Sequence, residues 1–182
     1  EPFSDHFQGM HNITRNLYKN EYGNKVLFEE INHDLGLTFQ YQWNSTNTFG
    51  FIKKSKLINT SDSNVEIKLL DGIQNILPYG VGSDLQNASS NLVDAYKRNE
   101  LEKSSGLGIY ALSAIIVDKA EPSEALKANI VWSLGLDNPK HLVSSLQVES
   151  FRKNQDLQEE TDVKAEKGAY FVNSTVVLTA EE

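Results

Sequence analysis

The side chains that could transfer a proton near neutral pH are the histidines and the carboxylates. The histidines, and the two adjacent carboxylates within a predicted strand, are His6, His11, His33, His141, Glu29 and Glu30. A sugar epimerase would need a histidine and a carboxylate in one cleft, and the candidate pairs place His11 or His33 beside one of those carboxylates. Successive strand residues point to opposite faces, so a two-carboxylate glycosidase could not use Glu29 and Glu30 together. Turn or surface histidines are the simpler interpretation, and the spacing predicts no metal site.

Aromatic residues are concentrated between residues 39 and 51. They are Phe39, Tyr41, Trp43, Phe49 and Phe51. Sugar sites combine flat aromatic faces with polar neighbours, because a pyranose has apolar C–H faces and a rim of hydroxyls. Trp43, beside Asn44 and Ser45 at a predicted strand end, fits such a site. Alternation along the same strand also predicts a sandwich core, so both interpretations stay open.

The stretch LLDGIQNILPYGVG, residues 69–82, follows a strand-like run and mixes polar with apolar residues. Its carboxylate and amide side chains offer directed hydrogen bonds, and its three glycines allow close backbone approach. The alternative is an ordinary strand end with a turn fixed by Pro78. The candidate residues for carbohydrate binding or a domain interface are therefore Trp43, Asp71, Gln74, Asn75 and Tyr79; no catalytic residue is predicted.

Composition limits the classes of function. The chain has 182 residues, 39% hydrophobic and 23% charged, which suits an ordinary globular domain with one core. Its formal net charge of −8 argues against nucleic acid and anionic membranes as partners. There is no cysteine, which excludes disulfides, thiolate zinc sites and cysteine nucleophiles. No cofactor is predicted, and the compartment, cytoplasmic or periplasmic, stays open.

The first half of the sequence predicts antiparallel strands separated by polar turns. Leu37, Phe39, Tyr41 and Trp43 alternate with Thr38, Gln40 and Gln42, which is typical of a half-buried strand. The spacing of about 10 to 13 residues favours a sandwich or barrel. The predicted strands are residues 13–21, 25–32, 37–43, 49–59 and 65–70.

The second half predicts helical insertions among further strands. Ser83 and Gln86 have the spacing of a capping box before a helix over residues 84–102. Asn138 and Pro139 suit the start of a second helix, to about residue 154, and residues 156–168 suggest a loop or helix end. The remaining predicted strands are residues 107–117, 125–136 and 169–179. Together the elements predict a mainly β protein, an antiparallel β-sandwich with one or two helical insertions, forming a single domain over residues 1–182.

The stretch FGFIKKSKLINTSDSNVEIKLLDGIQNILPYG, and the strand ladder before it, resembles the N-terminal β-supersandwich of cellobiose-phosphorylase-like and related glycoside-processing enzymes. The likeness covers residues 12–82: a strand over 56–59, a turn over 60–64 and an alternating strand over 65–71. It implies a fold similar to galactose mutarotase. It also implies a non-catalytic domain that packs on a helical barrel carrying the catalytic acid.

The resemblance leads us to expect a fragment of a longer multidomain carbohydrate-processing protein. Its function would be that of an accessory domain, with the catalytic domain of the same chain as partner and a loop contributed to carbohydrate binding. Two alternatives remain. The first is a free-standing carbohydrate-binding module, which requires exposed aromatic residues around Trp43, and the second is a mutarotase-like sugar epimerase.

Overall fold

Four strands near the N-terminus form an antiparallel meander, because the turns that join them are only a few residues long. The computed structural model describes residues 1–4, 9–116 and 125–180. These residues divide into two compact units, Glu1–Ile67 with Val176–Glu182 and Lys68–Thr175, here called the first unit and the second unit. The meander of the first unit comprises β1 (Ile13–Lys19), β2 (Lys25–Asn32), β3 (Leu37–Thr46) and β4 (Gly50–Asn59), in that order.

One face of the meander carries aromatic side chains at alternate positions, as the sequence predicts. Phe28 of β2 stacks on Tyr41 of β3, with ring centroids 4.7 Å apart, and Phe3 packs edge-on against Tyr41 at 5.3 Å. Glu30 fixes the segment that contains Phe3. Its Oε2 accepts hydrogen bonds from the Phe3 backbone N–H at 2.6 Å and from Arg15 Nε at 2.8 Å. We call this surface, which includes Phe3, Phe28 and Tyr41, the aromatic face. Its rings are half-buried.

In its described residues the second unit contains one whole sheet and most of another. One has the order β10–β6–β7–β8, and the other has the order β5–β11–β9. Among the described residues three short helices lie between strands, so the helical segments are shorter and more numerous than predicted. In chain order these elements are β5 (Val65–Ile76), α1 (Ser83–Ala88), α2 (Ser90–Tyr96), β6 (Lys97–Glu102), β7 (Leu107–Leu112), β8 (Asn129–Val131), β9 (Lys140–Leu142), α3 (Val148–Arg152), β10 (Asp162–Lys164) and β11 (Gly168–Leu178).

Two buried tyrosines join the sheets of the second unit face to face. Tyr110 of β7 donates to the Ala169 carbonyl, and Tyr170 of β11 donates to the Gly106 carbonyl, each at 2.6 Å. Burial raises the pKa of both hydroxyls, so they stay protonated donors. Gly108 leaves room for this packing, since a Cβ there would lie 2.8 Å from the Tyr170 ring. The fold is therefore mainly β, with antiparallel sheets packed as in a β-sandwich, and the predicted fold class is confirmed.

The helix predicted over residues 84–102 is wrong in its second half. Helix α2 ends at Tyr96, and the next six residues form β6, which pairs with β7 on one side and β10 on the other. The capping box is also wrong, because Gly82 is the N-cap residue of α1 and Ser83 already lies within the helix. Strand pairing buries Lys97, Asn99 and Leu101 in alternation. These tertiary contacts outweigh the helix propensity of the local sequence.

Other boundaries in the second half also differ from the prediction. Only Asn129–Val131 of the predicted strand over residues 125–136 is paired. The helix predicted from Pro139 is replaced by β9, which pairs with β11, and by the five-residue α3. Asn138 has a φ of 44°, so it lies in the left-handed region and caps no helix there. The predicted loop over residues 156–168 contains β10, and the end of the predicted strand 107–117 lies outside the described residues.

Candidate functional site

A concave pocket of about 370 Å³ lies in the second unit where the end of β5 meets α1, α2 and β6. Its walls combine side-chain amides and hydroxyls with two apolar residues and two lysines. The lining residues are Asn75, Ile76, Leu77, Ser83, Gln86, Asn87, Ser90, Lys97 and Lys167. We call it the β5–α1 pocket. Its lining is mainly polar, so a ligand bound there would be held chiefly by hydrogen bonds.

The end of β5 places Asn75 at this pocket. Strand β5 continues six residues beyond the predicted end, so Asp71, Gln74 and Asn75 belong to a strand rather than to a loop. Asn75 has a φ of 59°, a conformation that asparagine adopts more readily than most residues. Pro78 is fully buried and follows the strand, where its fixed φ and missing N–H do not allow regular pairing to continue.

A buried lysine forms one wall of the pocket. Lys97 is 2% exposed, and its ammonium donates to Gln86 Oε1 at 2.6 Å and to Asp94 Oδ1 at 2.7 Å. Gln86 in turn donates from Nε2 to the same Asp94 oxygen at 3.1 Å. The three side chains come from α1, α2 and β6, so the network ties these elements together. It compensates for the burial of the lysine charge and fixes the orientation of the Gln86 amide.

Asp94 is ionised in this hydrogen-bond network. Burial alone would raise the pKa of Asp94, but hydrogen bonds from Lys97 and Gln86 and the positive charges of Lys97 and Lys167 lower it below its ordinary value. Asp94 therefore stays ionised and pairs with Lys97. Lys167 is exposed at the rim of the pocket and contributes a second positive charge.

Of the five residues predicted for a site, only Asn75 lines the β5–α1 pocket. Gln74 is exposed and Asp71 is half-buried, both on β5. Tyr79 is half-exposed, and the Lys127 ammonium lies 5.0 Å from its ring centroid. Trp43 belongs to the first unit. It lies on the aromatic face, opposite Val26 of β2 and Lys53 of β4, and is half-buried.

The remaining pocket residues were missed by sequence reasoning. Gln86 and Lys97 lie within the helix predicted over residues 84–102, and nothing in that prediction indicates that Lys97 would be buried. The alternation of Lys97, Asn99 and Leu101 is a strand pattern with polar residues facing inward. Sequence rules for strands expect apolar residues at such positions. Leu101 is the one apolar residue between residues 97 and 102, so no hydrophobic alternation in the sequence indicates this strand.

The predicted histidine–carboxylate pairs do not form hydrogen bonds in the described part of the chain. His11 Nδ1 lies 3.6 Å from Asp34 Oδ2, and His33 Nε2 hydrogen-bonds the Thr14 hydroxyl at 2.9 Å. Glu30 binds the N-terminal segment on the aromatic face, while Glu29 lies on the opposite face, as strand alternation predicts. His6 lies outside the described residues.

Glu29 is the centre of a polar cluster on the other face of the meander. It accepts hydrogen bonds from Asn16 and Gln40 side chains and from the Tyr18 hydroxyl. The bonds from Asn16 and Gln40, with a smaller effect from Tyr18, lower the pKa of Glu29. A carboxylate with a lowered pKa is a poor proton acceptor near neutral pH. Glu29 is therefore poorly suited to act as a general base.

A different histidine–carboxylate contact occurs in the second unit. His141 Nδ1 lies 3.9 Å from Glu159 Oε2, and its ring packs beside Tyr170 with centroids 5.7 Å apart. Gly106 contacts the ring so closely that a Cβ there would lie 2.8 Å from it. Burial lowers the pKa of His141, partly offset by the charge of Glu159. The imidazole is packed into the fold, and it does not line the β5–α1 pocket.

A second pocket of about 280 Å³ lies elsewhere in the second unit, beside α3 and β11. Its lysines bind neighbouring groups: Lys68 donates to Asn154 Oδ1 at 3.2 Å and Lys140 donates to the Leu157 carbonyl at 3.0 Å. Asp156 adds a carboxylate to the lining. Among the residues that the structure describes, no cluster of three histidine or carboxylate side chains could hold a metal ion. In the same residues no helix is both long and apolar enough to cross a membrane.

Comparison with known proteins adds no assignment. No protein-family description matches the chain, and no curated protein is significantly similar to it.

Proposed function

We propose that this chain is a non-catalytic accessory domain of a carbohydrate-active protein, of the glycoside phosphorylase or hydrolase kind, and that its β5–α1 pocket contributes to carbohydrate binding. The observation that carries the proposal is the composition of the pocket. The side-chain amides of Asn75, Gln86 and Asn87 line it beside the apolar side chains of Ile76 and Leu77. The sequence resemblance over residues 12–82 supports the same class of protein.

The chemistry of the lining suits a sugar. Each amide side chain offers both a donor and an acceptor, as each sugar hydroxyl does. The two apolar side chains can cover a C–H face of the sugar ring. Gln86 is already held by Lys97 and Asp94, so a ligand would lose little additional side-chain entropy in binding to it.

The proposed partner is a catalytic domain of the same chain, and the proposed packing surface is the aromatic face of the first unit. Phe51 is 81% exposed and Leu17 is 65% exposed. Leu17 lies directly opposite Phe28 in the strand register, so it belongs to this face. An apolar patch of this kind is typical of a surface that another domain covers.

A glycan screen followed by isothermal titration calorimetry tests the binding proposal. We expect measurable affinity for an oligosaccharide, and about a fivefold weaker Kd for Asn87→Ala, which removes one amide from the pocket. Alanine suits the helical position of Asn87, so the fold should be retained. Gln74→Ala is the matched control, because it removes an exposed amide from β5 outside the pocket. Absence of glycan binding, or equal affinities for both variants, would contradict the proposal.

A free-standing carbohydrate-binding module is the second candidate, favoured by the aromatic face. Trp43 and Tyr41 lie on this face with flat, half-buried rings, and the Lys53 ammonium lies 5.6 Å from the Tyr41 ring centroid. Such a surface can stack on sugar rings. The same screen separates the candidates: loss of binding in Trp43→Ala with no change in Asn87→Ala would favour the module.

A further inference from the structure

The β5–α1 pocket has positively charged lining residues, although the protein as a whole has a negative net charge. The chain has a formal net charge of −8, yet the pocket lining contains two lysines and no carboxylate. Asp94 pairs with Lys97 and also interacts with the charge of Lys167, so it balances one of these two positive charges. The pocket is a locally positive concavity on a negative protein, which favours an anionic ligand.

Lys97 also has an unused donor. An ammonium group has three N–H donors, and the described residues take two of them, at Gln86 Oε1 and Asp94 Oδ1. The side chain lines the pocket and is only 2% exposed, so only a group that enters the pocket could reach the third. A charged donor in so dry a place forms a stronger hydrogen bond with an oxyanion than an exposed lysine does.

We propose that the β5–α1 pocket binds a sugar carrying an oxyanion, such as a uronate carboxylate or a phosphate ester, with the oxyanion held between Lys97 and Lys167. This inference rests on the proposed function and names its substrate class. Asn75, Gln86 and Asn87 bind the hydroxyls of the same sugar. The pocket beside α3 differs, since its two lysines, Lys68 and Lys140, are both exposed and its lining includes the carboxylate of Asp156.

Calorimetry with four probes tests the inference: D-glucuronate, D-glucose 6-phosphate, D-glucose and inorganic phosphate. We expect an anionic sugar to bind at least about 10-fold more tightly than glucose, because a hydrogen bond to a charged group is stronger than a neutral one. The affinity should fall as salt rises from low to physiological ionic strength. Lys167→Gln should weaken binding of the anionic sugar about 10-fold, and Lys167→Arg should restore most of it.

Lys153→Gln is the matched control, because Lys153 is an exposed lysine of the second unit that does not line the pocket. It removes the same charge and should leave the Kd unchanged. Lys167 is itself exposed and forms no hydrogen bond with another described residue, so its replacement should not unfold the chain, which circular dichroism would verify.

The outcomes separate this inference from the proposed function. Equal affinity for glucose and the anionic sugars, unaffected by Lys167→Gln but weakened by Asn87→Ala, would overturn the anion preference and leave carbohydrate binding standing. Inorganic phosphate bound as tightly as the sugar phosphate would overturn the sugar ligand. No binding of any sugar, neutral or anionic, would overturn both.

Discussion

The two units of the molecule are built on different kinds of interaction. In the part of the chain that the structure describes, the buried hydrophobic side chains all belong to the second unit, including Tyr110, Leu142 and Val93. The buried side chains of the first unit are polar: Glu30, Thr38 and Asn59. One unit therefore has a packed core, and the other has a single meander whose aromatic face is half-buried.

The difference follows from the number of sheets in each unit. Two sheets that face each other can exclude water from the side chains between them, whereas a single meander leaves its faces partly wet. The first unit relies on its backbone ladder and on directed contacts. Asn59, for example, donates from Nδ2 to the Ser63 and Thr179 carbonyls at 2.8 and 2.9 Å. We therefore expect the second unit to be sensitive to side-chain volume and the first to the loss of single polar contacts.

The chain has one tryptophan in each unit, Trp43 in the first and Trp132 in the second. Trp132→Phe leaves a fluorescence probe in the first unit only, and Trp43→Phe leaves one in the second only. Urea unfolding in these two backgrounds measures the free energy of unfolding reported by each unit.

Gly72→Ala should have the largest effect. A Cβ at residue 72 would lie 2.0 Å from the Tyr170 carbonyl oxygen and 2.7 Å from Phe171 Cα, both backbone atoms of β11. This clash can be relieved only if β5 and β11 separate. We therefore expect a loss of more than about 4 kcal/mol in the free energy of unfolding reported by Trp132. Gly82→Ala is the control: nothing lies within 4 Å of its Cβ position, and its cost should stay below about 1 kcal/mol.

Tyr110→Ala should come next and directly tests the contrast between units. Tyr110 is 0% exposed and makes a buried hydrogen bond, so its removal should cost about 3–5 kcal/mol. Tyr41→Ala removes the same side chain from the half-buried aromatic face and should cost about 1–2 kcal/mol. Equal losses, measured with each unit's own tryptophan, would show that the aromatic face is as well packed as the sandwich core.

Glu30→Gln tests the polar contacts of the first unit. Glu30 is 8% exposed, and its carboxylate accepts from Arg15 Nε and from the Phe3 N–H. The neutral amide keeps the shape but weakens both bonds, and Arg15 can regain water, since it is 36% exposed. We expect a loss of about 1–2 kcal/mol with the Trp43 probe and no change with the Trp132 probe. An unchanged free energy of unfolding with the Trp43 probe would contradict this prediction.

The smallest predicted effect is a pH dependence in the second unit. In the β6–β7 turn Glu102 accepts hydrogen bonds from the Ser105 and Ser104 hydroxyls and from their backbone N–H groups. These bonds, with Ser105 the strongest influence, lower the pKa of Glu102 from 4.5 to about 2. A lowered folded-state pKa stabilises the fold fully above 4.5, and this stabilisation is lost as the pH falls from 4.5 towards 2.

Glu102→Gln has no such proton to bind. The difference in the free energy of unfolding between wild type and variant should therefore shrink between pH 5 and pH 2.5 and stay constant between pH 5 and pH 7. Urea titrations at these pH values, in the background that retains Trp132, measure it. A difference that does not change with pH would show that the turn binds the ionised and the protonated carboxyl of Glu102 equally well.

Most strands of the first unit could be predicted from the sequence. Strand β2 has the predicted bounds, and β1, β3 and β4 differ by a few residues at one end. These strands alternate clearly and are joined by short polar turns, so local pattern and tertiary pairing agree. The candidate site was predicted only in part: Asn75 lines the β5–α1 pocket, while Asp71, Gln74 and Tyr79 lie outside the set of residues that lines it.

Prediction failed where the local pattern and the tertiary structure disagree. Residues 97–102 have helix-forming side chains, yet they form the strand between β7 and β10. Lys97 can be buried there only because Gln86 and Asp94 satisfy its ammonium. Those partners come from separate helices, and their meeting is not visible in any window of the sequence.

The sequence by itself determined the fold class, the meander and the alternation that puts Glu29 and Glu30 on opposite faces, because these depend on contacts between neighbouring strands. The tertiary structure alone decided the length of β5, the strand at residues 97–102 and the pocket that they form. Each of those features depends on groups far apart in the chain, and a buried charge such as that of Lys97 is stable only when its partners are brought to it.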